Sequence, residues 1–412
     1  MVTVFGLGFV GLTTALGFAH MGRTVYGIDV DEDRKARLRR GELPFLEPDM
    51  DRILNECLDK TFFVTDDVEQ AIAESEYVFY CVGTPYGKDG SADLTYLFQA
   101  IDTTVDAIRD DKFRVIITKS TIPPSTTSEK IVPYVRSKGE RAASIGVANN
   151  PEFLREGHCW SDFMEADRIV LGVDDDRSES MLRQLYSTMD VPVFAVSHNT
   201  GEFIKYLSNT LLATMISYAN EMAEVADTIG DIEVARAFRI LHMDKRWGGC
   251  NMKSYVYPGC GYGGYCLPKD TNALFAQAKE KGYEAQILRN VIAVNDDRAK
   301  VIAHKIAKGL EKSASIGILG LSFKPESDDV RDTPAAKVIR ELIRSGFNMI
   351  YAYDPVAAEE FQKHYPDLQI NYVQTTKEVL EKSDVCAILT AWDEFKKLSG
   401  DHIIDCRYCL ED

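Results

Sequence analysis

The 412-residue chain is short of positive charge: 47 lysines and arginines stand against 64 aspartates and glutamates, for a formal net charge of −17. That deficit argues against nucleic-acid or anionic-membrane partners, which need Lys and Arg in excess along one face. Any anionic ligand must be held by local donors. Also missing is an uninterrupted apolar stretch long enough to span a bilayer, and the chain opens on MVTVFGLG with no basic leader and cleavable apolar run. The expectation is a cytoplasmic protein with no membrane partner. There is no disulfide rhythm either. Nine cysteines, an odd number, are scattered through a chain large enough to fold without cross-links, which favours reduced thiols. No cluster of His and carboxylates suggests a metal, and the lone CxxC of Cys406 and Cys409 has no second pair of ligands, so no metal is expected. Low-complexity segments are absent, and the only internal repetition is of two α/β halves.

What is present is 45% apolar content, enough for two or three cores. From residue 2 to about 195, VTVFGL, TVYGID, YVFYCVG, RVIITKS, ASIGVAN and RIVLGV are separated by amphipathic or polar segments. That alternation is the pattern of a parallel sheet wrapped by helices. SIGILGL, MIYAYDP, VCAILTA and HIIDCR repeat it near the C-terminus, spaced by helical stretches such as TPAAKVIRELIRSG. Between them Ile204, Leu207, Leu211, Met215, Tyr218, Met222, Val225 and Ile229 recur at spacings of three and four, predicting a long helix with a continuous apolar stripe. Asn199 and Glu202 fit a capping box at its start and Gly230 a stop. Such a helix can bridge two domains, pair with its copy in a homodimer, or form a buried spine within one subunit.

Gly6, Gly8 and Gly11 form GxGxxG, with Phe9 and Val10 inside it, directly after the first strand and at the start of a helix. Asp29 ends the next strand. The glycines allow a tight turn and close approach of a pyrophosphate to amide donors, and the Asp29 carboxylate can accept from ribose hydroxyls. An acid there repels a 2′-phosphate, so NAD⁺ is expected over NADP⁺. The GILGLSF run of the last third lacks this fingerprint. The expected fold is therefore α/β: two Rossmann-like, doubly wound parallel-sheet domains joined by a long central helix. The divisions expected are residues 1–195 for the dinucleotide domain, 196–297 for the helical region, and 298–412 for a second α/β domain.

The run GCGYGGYCLPKDT, residues 259–271, places four glycines before Cys266, as if backbone lay against a ligand. Pro268 suits the first position of a helix and Asp270 its first turn. A thiol beside a helix N-terminus and Lys269 is activated as a nucleophile; the competing reading is an inert, buried cysteine. Lys205 and Asn209 sit four apart on the long helix, on one face. In NNPEFLREG, Pro151 can open a helical turn with Glu152 and Glu156 on one side. For both pairs a solvated surface is the competing reading.

Taken together, GLGFVG, CVGTP, KSTIPP, NNPEFLREG, IKYLSNTLLA, GYGGYCLPKD and GLSFKPESDDVRDTP resemble the UDP-glucose/GDP-mannose dehydrogenase family over essentially the whole chain. The resemblance implies that Cys266 carries a thiohemiacetal and then a thioester while two NAD⁺ oxidise a nucleotide-sugar C6 alcohol to a carboxylate. Lys205 and Asn209 then attend the C6 oxygen, Asp270 works with Lys205 around a water, and Thr121 with Glu152 positions the hydrolytic water. The first general base stays unassigned. The resemblance further places Arg34, Thr84, Pro85, Thr121, Glu156, Lys269 and Arg331 near NAD⁺. It assigns the substrate to Glu152, Phe153, Leu154, Arg155, Glu156, Phe323, Lys324, Arg407 and a glycine wall of residues 257–263 that includes Tyr257, Gly261 and Gly263.

The GYGGYCLPKD form points to UDP-glucose becoming UDP-glucuronate, ahead of a UDP-N-acetylhexosamine or GDP-mannose. Tyr265 and Leu267 depart from the Ser and Phe of many relatives. The segment KRWGGCNMKSYVYPGC is longer than expected, so Arg246 or Lys253 stands where an arginine of the family reaches a partner subunit's substrate. A homodimer through the central helix is expected. A one-step hydroxyacid dehydrogenase and a non-catalytic nucleotide sensor are the rival readings.

Overall fold

A computed structural model describes residues 1–85, 92–244 and 257–410. They fall into two compact units, Met1–Leu207 and Ser208–Asp412.

The first unit is built on an eight-stranded sheet in the order β3-β2-β1-β4-β5-β6-β7-β8. The strands are β1 (Val2–Phe5), β2 (Val25–Ile28), β3 (Phe62–Val64), β4 (Tyr77–Tyr80), β5 (Arg114–Thr118), β6 (Ile145–Asn149), β7 (Ile169–Val173) and β8 (Val193–Val196). β1, β4, β5, β6 and β7 are buried along their whole length, which is why they read as apolar runs without alternation. The order reverses direction between β1 and β4, the crevice where open α/β sheets take their ligands. One expectation needs correcting: β6 and β7 pair antiparallel, through Ala148 with Val173 and Asn149 with Gly172. The chain between them holds only the short helix Cys159–Met164, and an antiparallel pair needs no full crossover.

The second unit repeats the winding on five strands, in the order β11-β10-β9-β12-β13. These are β9 (Ser315–Leu319), β10 (Met349–Tyr353), β11 (Asn371–Tyr372), β12 (Val385–Ile388) and β13 (Ile403–Asp405), all paired in parallel. The helix Pro334–Arg344 starts as its sequence prescribes: Thr333 caps it, Pro334 follows, and Ala335, Val338, Ile339 and Leu342 turn inward. A loop after each central strand is held in the same way. Asp29 after β2 accepts from Leu7 N at 2.6 Å, and Asp354 after β10 accepts from Leu321 N at 2.7 Å.

The long helix spans His198–Ile229 and stops at Gly230, whose φ of +82° is one that residues with a side chain rarely adopt and whose N–H bonds to Ala226 O. Its capping box is not formed. Ser197 caps instead, taking Thr200 N on its hydroxyl and Gly201 N on its carbonyl, while Asn199 binds Ser128 and Glu202 turns inward to Thr127. The buried-spine reading also fails: Leu207, Leu211, Tyr218 and Ile229 of the apolar stripe are exposed. Glu202, Lys205, Asn209, Ala213, Ser217 and Asn220 are buried in their place. Several inward polar groups find partners, as Ser217 has Val291 O and Asn220 has Gly259 N.

Two smaller expectations also give way. Residues 150–155 are irregular, not helical, because Glu152 Oε2 takes Leu154 N at 2.6 Å and Asp162 takes Arg155 N at 2.8 Å. The helix after the glycine run is Cys266–Glu280, so Pro268 is its third residue and Asp270 lies beyond its first turn. Proline is tolerated there because the first four N–H groups have no helical acceptor.

Candidate active site

In the first unit the glycine motif forms a cradle. Gly6 sits at φ +87°, and a Cβ on Gly11 would lie 1.7 Å from Gly6 O, so the turn after β1 closes only on glycine. Gly8 faces open space within 4 Å, which leaves room for a pyrophosphate against the start of the helix Phe9–His20. Phe9 stacks on Phe45 at 4.0 Å, and the Val10 carbonyl takes the Thr14 hydroxyl. Asp29 is buried and paired with Arg34 at 3.0 Å. This geometry fits a dinucleotide with a free 2′-hydroxyl.

Around the sheet's carboxyl edge, Thr84 donates to Thr121 O at 2.8 Å, joining the CVGTP and KSTIPP segments, and Pro85 O accepts from Asp93 N. Glu152 and Lys205 form a buried ion pair at 2.8 Å. The Arg168 guanidinium stands 4.1 Å from the centre of the Phe153 ring and the Lys205 ammonium 5.7 Å. Arg155 is drawn to Asp162 at 2.6 Å, and Glu156 is half-buried. Beside them Lys119 is buried, its ammonium donating to Asn150 Oδ1 at 2.8 Å. Burial pushes its pKa down to about 8.

The second unit places Cys266 at the first residue of its helix, and it is the one exposed cysteine among the described residues. Burial raises the thiols of Cys57, Cys81, Cys159, Cys260, Cys386, Cys406 and Cys409, to about 12 for Cys81. One helical turn on, Asp270 is wholly buried, holding Lys269 at 2.6 Å and accepting from Asn209 Nδ2 at 2.6 Å. Tyr265 has Arg331 over its ring at 4.7 Å and Lys269 at 5.6 Å, and Arg331 also pairs with Asp329.

The glycine wall lies against its own chain. A Cβ on Gly264 would stand 3.0 Å from the Phe323 ring, one on Gly259 2.8 Å from the Arg407 guanidinium, and one on Gly263 2.6 Å from Asp332 O. Gly261 stands at φ +97° against Asn295. Tyr257 donates to Tyr408 O at 2.9 Å, beside Arg407, whose Nε is buried with no hydrogen-bond partner among the described residues. The Lys324 ammonium sits 5.6 Å from the Phe323 ring centre. Arg246 and Lys253 lie outside the described residues.

Sequence reasoning passed over three groups, Glu47, Asp354 and Lys119, and read a fourth, Glu202, only as a helix cap. Glu47 holds the Glu152 loop by accepting from Gly157 N and Cys159 N at 2.8 and 2.7 Å. Glu202 binds Thr127 N and Oγ1, Asp354 binds its β9 loop, and Lys119 binds Asn150. Only Lys119 gave a local signal, a charge two residues past the apolar run Val115, Ile116 and Ile117.

Profiles of one family cover the chain. The NAD binding domain of the UDP-glucose/GDP-mannose dehydrogenase family matches residues 1–190, its central domain 199–297 and its UDP binding domain 317–412. The UDP-glucose 6-dehydrogenase of Pseudomonas aeruginosa is 36% identical over 408 residues, spanning 96% of this chain and 88% of that protein. A solved UDP-glucose dehydrogenase from Pyrobaculum islandicum is 35% identical, with a TM-score of 0.91 over 99% of this chain and 94% of its own. The UDP-D-ManNAc dehydrogenase of Pyrococcus horikoshii is 28% identical, with a TM-score of 0.86 over 100% and 96%. NAD is the cofactor that the matched N-terminal domain binds. With all three of its domains present in order, the chain belongs to the UDP-glucose/GDP-mannose dehydrogenase family.

Proposed function

We propose that the chain oxidises the C6 alcohol of UDP-glucose to the carboxylate of UDP-glucuronate, consuming two NAD⁺ and one water. The observation that carries this reading is Cys266, exposed at a helix start one turn before a buried Asp270 that is bonded to Asn209. The relatives named for UDP-glucose oxidation support the choice of sugar.

NAD⁺ supplies, when bound, the hydride acceptor for both oxidations. The Gly6–Gly11 turn and Asp29 would hold it, with Arg34, Thr84, Pro85, Thr121 and Glu156 of the same unit, and the family resemblance adds Lys269 and Arg331. The protein's own groups do the rest. Lys205 and Asn209 donate to the C6 oxygen as negative charge develops there. Cys266 Sγ adds to the aldehyde, which cannot then escape, and the thiohemiacetal is oxidised to a thioester. Water positioned by Glu152 and Thr121 cleaves the thioester, releasing the acid and the thiol, with Asp270 and Lys205 moving protons. Phe323, Lys324 and Arg407 hold the UDP end, and the buried Arg407 Nε is a donor suited to an anion or a base carbonyl.

We read the chain as three parts, 1–195, 196–297 and 298–412, acting in the cytoplasm as a homodimer. Supporting the dimer is the exposed apolar stripe of Leu207, Leu211 and Tyr218 on the long helix. A substrate panel tests the function: UDP-glucose is expected to yield two NADH per sugar. One NADH per sugar, or turnover only of a UDP-N-acetylhexosamine or GDP-mannose, rejects it.

A further inference from the structure

Lys119 has no part in the chemistry above, yet its placement is costly. Its side chain is almost wholly buried at the end of β5, and its hydrogen bond goes to a neutral amide. That amide is fixed as an acceptor: Asn150 Oδ1 also takes the Tyr186 hydroxyl at 2.6 Å, while Asn150 Nδ2 donates to Val170 O. The titratable groups that face the Lys119 ammonium are Cys81 from the end of β4, Glu152 after β6 and Lys205 of the long helix, with Tyr186 behind Asn150. Cys81 and Tyr186 are held neutral by burial. Among the described residues both buried ammonium groups therefore face Glu152, which bonds directly to Lys205 and not to Lys119. An unpaired buried charge destabilises a fold, and such charges gather where function needs them.

We propose that Lys119 is a positioning residue for the oxidation, a second buried cation that leaves net positive charge behind Lys205, where the C6 oxygen becomes an oxyanion. The inference rests on the reading of Lys205 as donor to that oxygen. The charge has a pH signature. Burial lowers the Lys119 pKa to about 8, so the ammonium is present below pH 8 and lost above it, and the rate falls as pH rises through that value. Stability runs the other way. A lysine whose folded pKa is depressed contributes stability above its ordinary pKa and loses it as pH falls through the folded one, so at neutral pH the charge is a burden on the fold.

The test compares wild type, Lys119→Met and Lys119→Arg for kcat, KM and thermal unfolding from pH 6 to 10, using UDP-glucose. Lys119→Met should lose about tenfold or more in kcat at neutral pH with KM little changed, and should unfold no earlier than wild type. Lys119→Arg stays charged throughout and should keep its rate above pH 8. A methionine variant with the wild-type rate and pH profile overturns the proposal. So does a rate loss matched by lost stability that arginine fails to restore. If Lys119→Met does not fold, an unmoved basic limb in Lys119→Arg overturns it alone. Lys205→Met, run alongside, separates the two readings: full activity there sinks the Lys205 role, whereas a crippled Lys205→Met beside an unaffected Lys119→Met sinks only this one.

Discussion

Lys205 Nζ and Glu152 Oε1 stand 2.8 Å apart, and both side chains are about 95% out of water. Their partnership joins the long helix to the irregular loop after β6. Losing one member leaves the other charged and buried, at a cost of roughly 3 kcal/mol or more. Glu152→Leu should therefore lower stability by about that amount, and adding Lys205→Met should recover most of it. Urea unfolding of the three variants checks this; a double variant as unstable as the single one contradicts it.

Cys266 should be the first of the described cysteines to react with iodoacetamide, since it is exposed while burial raises the thiols of the other seven. Peptide mapping reads the order. Modification at Cys266 should abolish acid formation, and Cys266→Ser should lower it roughly a thousandfold or more. Full acid formation by a mapped, fully alkylated Cys266 would falsify the covalent route.

Gly8 and Gly11 should part company on substitution. A Cβ at Gly8 would meet no protein atom within 4 Å beyond its neighbours along the chain, so Gly8→Val should fold with an unfolding temperature little changed and lose NAD⁺ binding in a calorimetric titration. At Gly11 the new carbon would collide with Gly6 O, so Gly11→Ala should lose stability as well. Retained NAD⁺ affinity in Gly8→Val removes the cradle assignment.

Glu202 links pH to stability. Burial raises its pKa to about 7 against the hydrogen bonds from Thr127. An acid whose folded pKa lies above its unfolded value contributes stability that is complete below the unfolded value and lost as pH rises through the folded one. The window runs from about pH 4.5 to about 7. Glu202→Gln does not titrate, so its stability relative to wild type should rise across that window by something on the order of 3 kcal/mol. Parallel curves for the two proteins from pH 4 to 8 would show that Glu202 is not the group.

The exposed stripe of the long helix should be where two copies meet. Leu211→Glu should shift the protein from dimer toward monomer in sedimentation at micromolar concentration, with secondary structure retained. A dimer untouched by this change, or a wild-type monomer, rejects the interface.

The amino-acid order by itself determined the local features. Val2, Val4 and Phe5, like Val115, Ile116 and Ile117, are apolar because both faces of their strands are covered, and GxGxxG announces a turn that only glycine closes. Gly230 marked the end of the long helix, and Thr333 with Pro334 the start of another. Tertiary structure decided what each surface faces. The spacing of Leu207, Leu211 and Tyr218 defined a stripe, but only the folded partners of Lys205, Asn209 and Asn220 made the polar side the buried one. Glu47 finds its amides 110 and 112 residues away, Glu202 finds Thr127 75 residues back, and Lys119 meets Asn150 across 31. Periodicity is a property of neighbours along the chain, whereas hydrogen bonds and buried charges are settled by neighbours in space, and the fold alone brings those together.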